Sequence, residues 1–207
     1  MRYIVSGYRR SGTSAMMLAL TQGMTIKRQV QWNPHAEELN VALDGYRPNP
    51  GPLLEVGQNH YIDPPRLREL LVDNCLIKIF YDGLPYLPAT DDYKIIFMFR
   101  DPVEIAASLN VTEQHLVAQG VLRPEPGDFA CPFDVYQPFD QANIEHVYAI
   151  CEQRRDIELF PVQFQNLIDQ PVAVFGDLAF KGIPINIEKA AATINPAYHR
   201  VRNAPGP

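Results

Sequence analysis

The chain has 207 residues, 46% of them hydrophobic, which is enough for one well-formed core. Its net charge of −6 argues against a general nucleic-acid binder, which needs a basic surplus, but leaves room for a local basic site that takes a small anion. No apolar run is long enough to span a bilayer, and the N-terminus enters a strand at once, without a secretory signal pattern.

In chain order, the apolar run Arg2–Ser6 predicts a strand and Gly12–Gln22 a helix. Residues 44–66 are irregular, with Pro48, Pro50, Pro52, Pro64 and Pro65 among several glycines. Strands are predicted at Leu76–Tyr81 and Lys94–Phe99, then a helix over Pro102–Gln119. A second irregular segment, 120–142, holds four prolines together with Phe129, Phe133, Tyr136 and Phe139. Loops of this length inside a compact domain usually carry function or are mobile. Over Asn143–Arg155, the residues Ile144, Val147, Tyr148 and Cys151 fall at i, i+3, i+4 and i+7, one face of a helix. Pro161 interrupts the next strand, Ile157–Phe164, so that strand is expected to be short, bulged or at an edge. Helices at Pro171–Lys181 and Ile187–Ile194 precede a loose tail. Strands alternating with helices predict an α/β three-layer sandwich with a mainly parallel central sheet. A single domain over 1–207 is expected, with irregular loops near 44–66 and 120–142. Cys75, Cys131 and Cys151 are odd in number and show no metal spacing, so they read as ordinary thiols of a reducing compartment, and a cytoplasmic location is expected.

The stretch SGYRRSGTSAMM, residues 6–17, follows the first strand directly. The chain turns at Gly7, and Gly12 opens a helix whose first N–H groups lack partners within the helix. Such a turn suits an anion. Ser11, Thr13 and Ser14 add hydroxyls, and Arg9 and Arg10 add planar, permanently charged donors. The spacing of the glycines is that of a nucleoside-triphosphatase loop, but Thr13 stands where that loop carries its lysine. A second stretch, KIIFMFRDPVEIAASL, ends a strand at Arg100 and starts a helix with an aspartate cap, a proline and a glutamate, so that Ser108 lies two turns along. Arg100 and Ser108 can then meet one anion from two sides. A plain capped helix, with Arg100 paired to Asp101 or Glu104, accounts for the same residues. So does a Walker-B-like strand with Asp101 on magnesium, though Asp101 suits the cap better and the loop lysine is missing.

Together these stretches resemble the PAPS-dependent sulfotransferase family in its bacterial type, whose donor is 3′-phosphoadenosine-5′-phosphosulfate. Arg9-Arg10-Ser11-Gly12-Thr13-Ser14 is similar to the family's P-[KR]-S-G-T-[TS] loop except for its proline, and Arg100 with Ser108 reproduces the family's 3′-phosphate motif. The resemblance implies a P-loop-like fold, PAPS as co-substrate, adenosine 3′,5′-bisphosphate (PAP) as product, and no metal. By position it implies that Arg9, Arg10, Ser11, Gly12, Thr13, Ser14, Arg100 and Ser108 bind the nucleotide, with Arg10 and Lys78 also acting in catalysis. CLIKIFYDGLPYLP, residues 75–88, is similar to the strand on which the cytosolic branch carries a lysine and a catalytic histidine. Lys78 matches the lysine, but Phe80 stands in the histidine's place. Other members use a glutamate, and GPLLEVGQNHY resembles a stretch that carries one. Glu55 is therefore the first candidate base and His60 the second, with Glu37, Glu38 and His35 behind them. Trp32, Tyr61 and the aromatics of 129–139 are candidates for an acceptor pocket. VQFQNLIDQP resembles the family's YEDLVxDP junction, and Arg200 and Arg202 are positional candidates for its late basic segment. The motifs leave the acceptor open: a small molecule, a carbohydrate or a lipid is expected, a peptide would fit the same two motifs, and a homodimer stays open. A P-loop small-molecule kinase and a non-catalytic nucleotide-binding relative remain alternatives, the latter because of Phe80.

Overall fold

The structure is a computed structural model and describes residues 1–26, 28–29, 64–89, 92–118 and 141–196. Strand β1 (Arg2–Gly7) leads into helix α1 (Thr13–Gly23) and the short β2 (Arg28–Gln29). Helix α2 (Pro64–Leu70), β3 (Cys75–Lys78) and a 3₁₀ turn at Tyr81–Tyr86 precede β4 (Tyr93–Phe99) and α3 (Pro102–Ala118). Next come α4 (Gln141–Gln153), β5 (Ile157–Gln163), α5 (Phe164–Asp169), α6 (Pro171–Phe180) and α7 (Ile187–Ala192). The five strands form one sheet in the order β2-β3-β1-β4-β5, and each neighbouring pair is parallel. No helix among the described residues is long and apolar enough to cross a membrane.

Side chains alternate across the strands, so both faces of the central ones are covered, and their sequences are apolar throughout. Tyr3 and Val5 of β1 and Ile96 and Met98 of β4 pack with Met16 and Leu20 of α1 and with Phe175 of α6. Ile4, Ile77, Ile95 and Phe97 face the other way, against Leu67 of α2, Ile105 of α3, and Ile144 and Val147 of α4. The result is the α/β three-layer sandwich that the alternation of elements predicts.

Several boundaries depart from expectation. The strand expected to reach Tyr81 ends at Lys78, and the chain turns into the 3₁₀ helix that contains Pro85. The irregular segment 44–66 gives way to α2 at Pro64. Two prolines suit its first turn, where helix N–H groups have no partner to lose. Phe164, expected to close a strand, instead opens α5. At Pro161 the edge alternative is met: β5 is the edge of the sheet and runs unbroken through the proline, since an edge strand tolerates a residue without an N–H.

Strand order also marks one place on the sheet. The connection leaving β1 leads toward β2 on one side, and the connection leaving the adjacent β4 leads to β5 on the other. Chains that leave neighbouring carboxyl ends in opposite directions open a crevice, where ligands bind in α/β sheets. At this sheet the crevice lies between the loop after Gly7 and the corner at Arg100.

At the opposite end of the sheet, Arg154 ties the α4–β5 connection to the segment after the 3₁₀ turn. It donates to the Leu87 and Pro88 carbonyls at 3.0 and 3.2 Å, and through Nε to Asp156 Oδ1 at 3.1 Å. That hydrogen bond is the main cause holding the Asp156 carboxyl below the usual aspartate range. A depressed carboxyl stabilises the fold above its unfolded pKa and loses that contribution as pH falls through the folded value. Stability measured by urea unfolding should therefore fall more steeply for the wild type than for Asp156→Asn between about pH 5 and pH 2. Equal acid slopes would show that the pair is thermodynamically idle.

Candidate anion-binding site

Gly7 ends β1 at φ +143°, and a Cβ there would lie 2.6 Å from the Met98 carbonyl oxygen, so only glycine lets the loop pass this close to β4. The Tyr8 carbonyl then accepts both the Ser11 N–H at 3.2 Å and the buried Ser11 hydroxyl at 2.6 Å. Arg10 adopts a left-handed φ of 66°, uncommon for a residue with a side chain and costing about 1 kcal/mol or more unless its surroundings enforce it. Gly12 precedes α1 at φ 95° and supplies no side-chain cap. The first helical bond runs from Met16 N–H to the Gly12 carbonyl, so the amides of residues 13–15 lie ahead of the ladder.

The corner after β4 faces this loop. Asp101 caps α3, its Oδ1 accepting from the N–H groups of Val103 and Glu104 at 2.7 and 3.3 Å. The Arg100 side chain is only 6% exposed. Its Nε donates to Glu104 Oε2 at 3.0 Å and its Nη1 to the Arg10 carbonyl at 2.9 Å. The guanidinium carbon stands 4.4 Å from the centre of the Phe164 ring. Nη2 is buried and has no hydrogen-bond partner among the described residues. Buried Ser108 faces the loop from α3, and its Oγ accepts from Arg10 Nε at 3.0 Å. Beside Arg100 a small recess opens among Tyr8, Ser11, Phe99, Ile144 and Glu145.

A third group of residues reaches the loop from β3. Lys78 is 1% exposed at the end of that strand, and its Nζ donates to Ser14 Oγ at 3.1 Å. The same ammonium lies 5.4 Å from the centre of the Phe80 ring, and the guanidinium carbon of Arg9 lies 5.5 Å from it. Burial, with Tyr81 next, pushes the neighbouring Tyr8 phenol up, against the opposing charge of Arg9.

Arg9, Arg10, Ser11, Gly12, Thr13, Ser14, Lys78, Arg100 and Ser108 thus share the carboxyl ends of β1, β3 and β4. Such a set offers cations, hydroxyls and helix-end amides to an anion, and Arg100 Nη2 still has a hydrogen to donate. The capped-helix reading is also met in part, because Glu104 pairs with Arg100. The candidate bases Glu55 and His60, together with Glu37, Glu38 and His35, lie outside the described residues. So do Trp32, Tyr61, Cys131, the aromatics of 129–139, Arg200 and Arg202. Sequence reasoning missed Phe164, whose only local signal is an aromatic after an edge strand. Cys151 is buried in the core, and burial pushes its thiol up to about 11, which leaves little reactive thiolate.

No protein-family model and no curated protein matches the chain. Twelve chains of solved structures do. One is a crystal structure of retinol dehydratase in complex with androsterone and inactive cofactor PAP, with 13% identity and a TM-score of 0.37. The match covers 96% of this chain and 64% of that one, so this chain spans less than two thirds of its length.

The packing at Gly12 is directly testable. A Cβ there would stand 2.2 Å from Phe164 Cδ2, on a backbone at φ +95°. Gly12→Ala should lower unfolding free energy by about 1–3 kcal/mol, read from the urea midpoint. An unchanged midpoint would mean that the loop relaxes without resistance.

Proposed function

We propose that this chain is a PAPS-dependent sulfotransferase that moves a sulfuryl group to a hydroxyl or amine of a small-molecule, carbohydrate or lipid acceptor. The observation that carries this reading is the bridge between the two turns. Arg10 reaches Ser108 at 3.0 Å, and Arg100 reaches the Arg10 carbonyl at 2.9 Å. Turns this close can grip the two ends of one small, doubly phosphorylated nucleotide, and the buried, unpartnered Arg100 Nη2 fits a phosphate oxygen.

The donor supplies an activated sulfuryl group whose leaving atom is a phosphate oxygen. In this reading the loop amides, Arg10 and Thr13 hold the 5′-phosphosulfate end. Positive charge from Arg10 and Lys78 stands where negative charge develops on the transferring group and on the departing oxygen. Arg100 and Ser108 hold the 3′-phosphate and so favour PAPS over ATP. The acceptor must lose a proton as sulfur is attacked. Phe80 has no atom to take it, so Glu55 stays the first candidate and His60 the second. A relative that binds the nucleotide without turnover is the second reading, and Phe80 is the observation that favours it. Transfer to any member of an acceptor panel would eliminate it.

Thermal unfolding tests the nucleotide, since a ligand that binds only the native state raises apparent stability. PAP should raise the Tm well above the effect of ATP with magnesium at equal concentration. Arg10→Ala and Arg100→Ala should each weaken PAP binding by about tenfold or more. Equal stabilisation by ATP with magnesium, or unchanged PAP affinity in either variant, would overturn the reading.

A further inference from the structure

Phe80 carries an observation that the reaction scheme does not use. Two cations from different segments converge on its ring, Lys78 from the end of β3 at 5.4 Å and Arg9 from the loop at 5.5 Å. The face of an aromatic ring carries partial negative charge and attracts a cation within about 6 Å of its centre. The chain leaves β3 extended at Phe80 before the 3₁₀ turn, and the Phe80 carbonyl accepts from Gly83 N–H at 2.9 Å, which anchors the ring's backbone. Lys78 is further constrained by its bond to Ser14 in the first turn of α1.

Other residues at position 80 would act differently. A carboxylate would pair with both cations and cancel them. A histidine would exchange protons beside two like charges. A phenyl ring orients cations without neutralising them and takes no part in proton transfer. The ring therefore takes nothing from the charge of Arg9 and Lys78 next to the amino end of α1, itself a centre of partial positive charge. Positive groups gathered this closely favour a ligand end that bears more than one negative charge over more than one phosphorus or sulfur centre.

We infer that Phe80 is a positioning residue that orients Arg9 and Lys78 as a pair, and thereby sets the loop's preference for a diphosphate-like end over a single phosphate. The inference rests on the reading of this loop as the holder of the donor's 5′ end. It changes the meaning of the departure at position 80, which becomes part of the anion grip and not merely the loss of a base.

Titration calorimetry with inorganic pyrophosphate, inorganic phosphate and PAP tests it. Phe80→Met keeps bulk and removes the ring, and Phe80→Leu serves as the second ringless variant should F80M fail to fold. Phe80→Tyr and Phe80→Trp keep an aromatic face. The ringless variant should bind pyrophosphate about three- to tenfold more weakly, with a smaller loss for phosphate and for PAP, whose 5′ end is a single phosphate, while the aromatic variants stay within about twofold of wild type. Unchanged pyrophosphate affinity in the ringless variant overturns the inference, as do equal losses for phosphate and pyrophosphate, or aromatic variants as weak as F80M. A wild type that binds pyrophosphate but not PAP removes the sulfotransferase reading, and the Phe80 comparison still decides this one. A wild type that binds PAP, with unchanged pyrophosphate affinity in F80M, removes the role of Phe80 alone. A wild type that binds neither anion overturns both.

Discussion

The bond from Arg100 Nη1 to the Arg10 carbonyl joins the two halves of the site, and most of the local geometry follows from it. Arg10 is in a conformation that side chains disfavour, so its peptide needs support from outside the loop. Arg100 provides that support from a different strand, while Glu104 and the Phe164 ring fix the orientation of its guanidinium. The Phe164 ring also fills the space beside Gly12, where any side chain would collide with it. The loop's shape is thus set by β4, α3 and α5 together, through contacts remote in sequence. The anion-facing surface is a property of the sheet's carboxyl end and not of the loop alone.

Charge is distributed against the overall balance. The chain is acidic, with a net charge of −6, yet Arg9, Arg10, Lys78 and Arg100 all stand at one end of the sheet. Buried cations are costly unless hydrogen-bonded or paired. Each buried cation here has specific contacts: Lys78 a hydroxyl and a ring, Arg100 a carboxylate, a carbonyl and a ring. Glu104 is the acid among these contacts, and the hydroxyl, the carbonyl and the rings orient charge without neutralising it. An acidic surface around a compact basic site discourages extended polyanions, while a small anion can still enter.

Strand order gives the site its position. β1 and β4 are neighbours in the sheet although residues 8–92 separate them in the chain, and their outgoing connections diverge. That divergence leaves the space into which Arg100 and Ser108 project toward the loop. An antiparallel neighbour would have brought a tight hairpin to the same place and closed it.

The features legible in the sequence are those that local chemistry dictates. Apolar runs mark β1 and β4, Gly7 and Gly12 mark a turn that side chains cannot make, and Asp101-Pro102 starts α3 through a cap whose donors lie two and three residues away. The spacing of Arg100 and Ser108 was readable because a helix converts sequence distance into a face. Local pattern could not supply strand order, the end of β3 at Lys78, or the start of α5 at Phe164. Nor could it show that Arg10 turns to Ser108, that Phe164 stacks on Arg100, or that Arg9 and Lys78 share one ring. Helical and strand periodicity describe a few neighbours along the chain. These contacts join residues tens of positions apart, and they exist only once the parallel sheet has brought its carboxyl ends together.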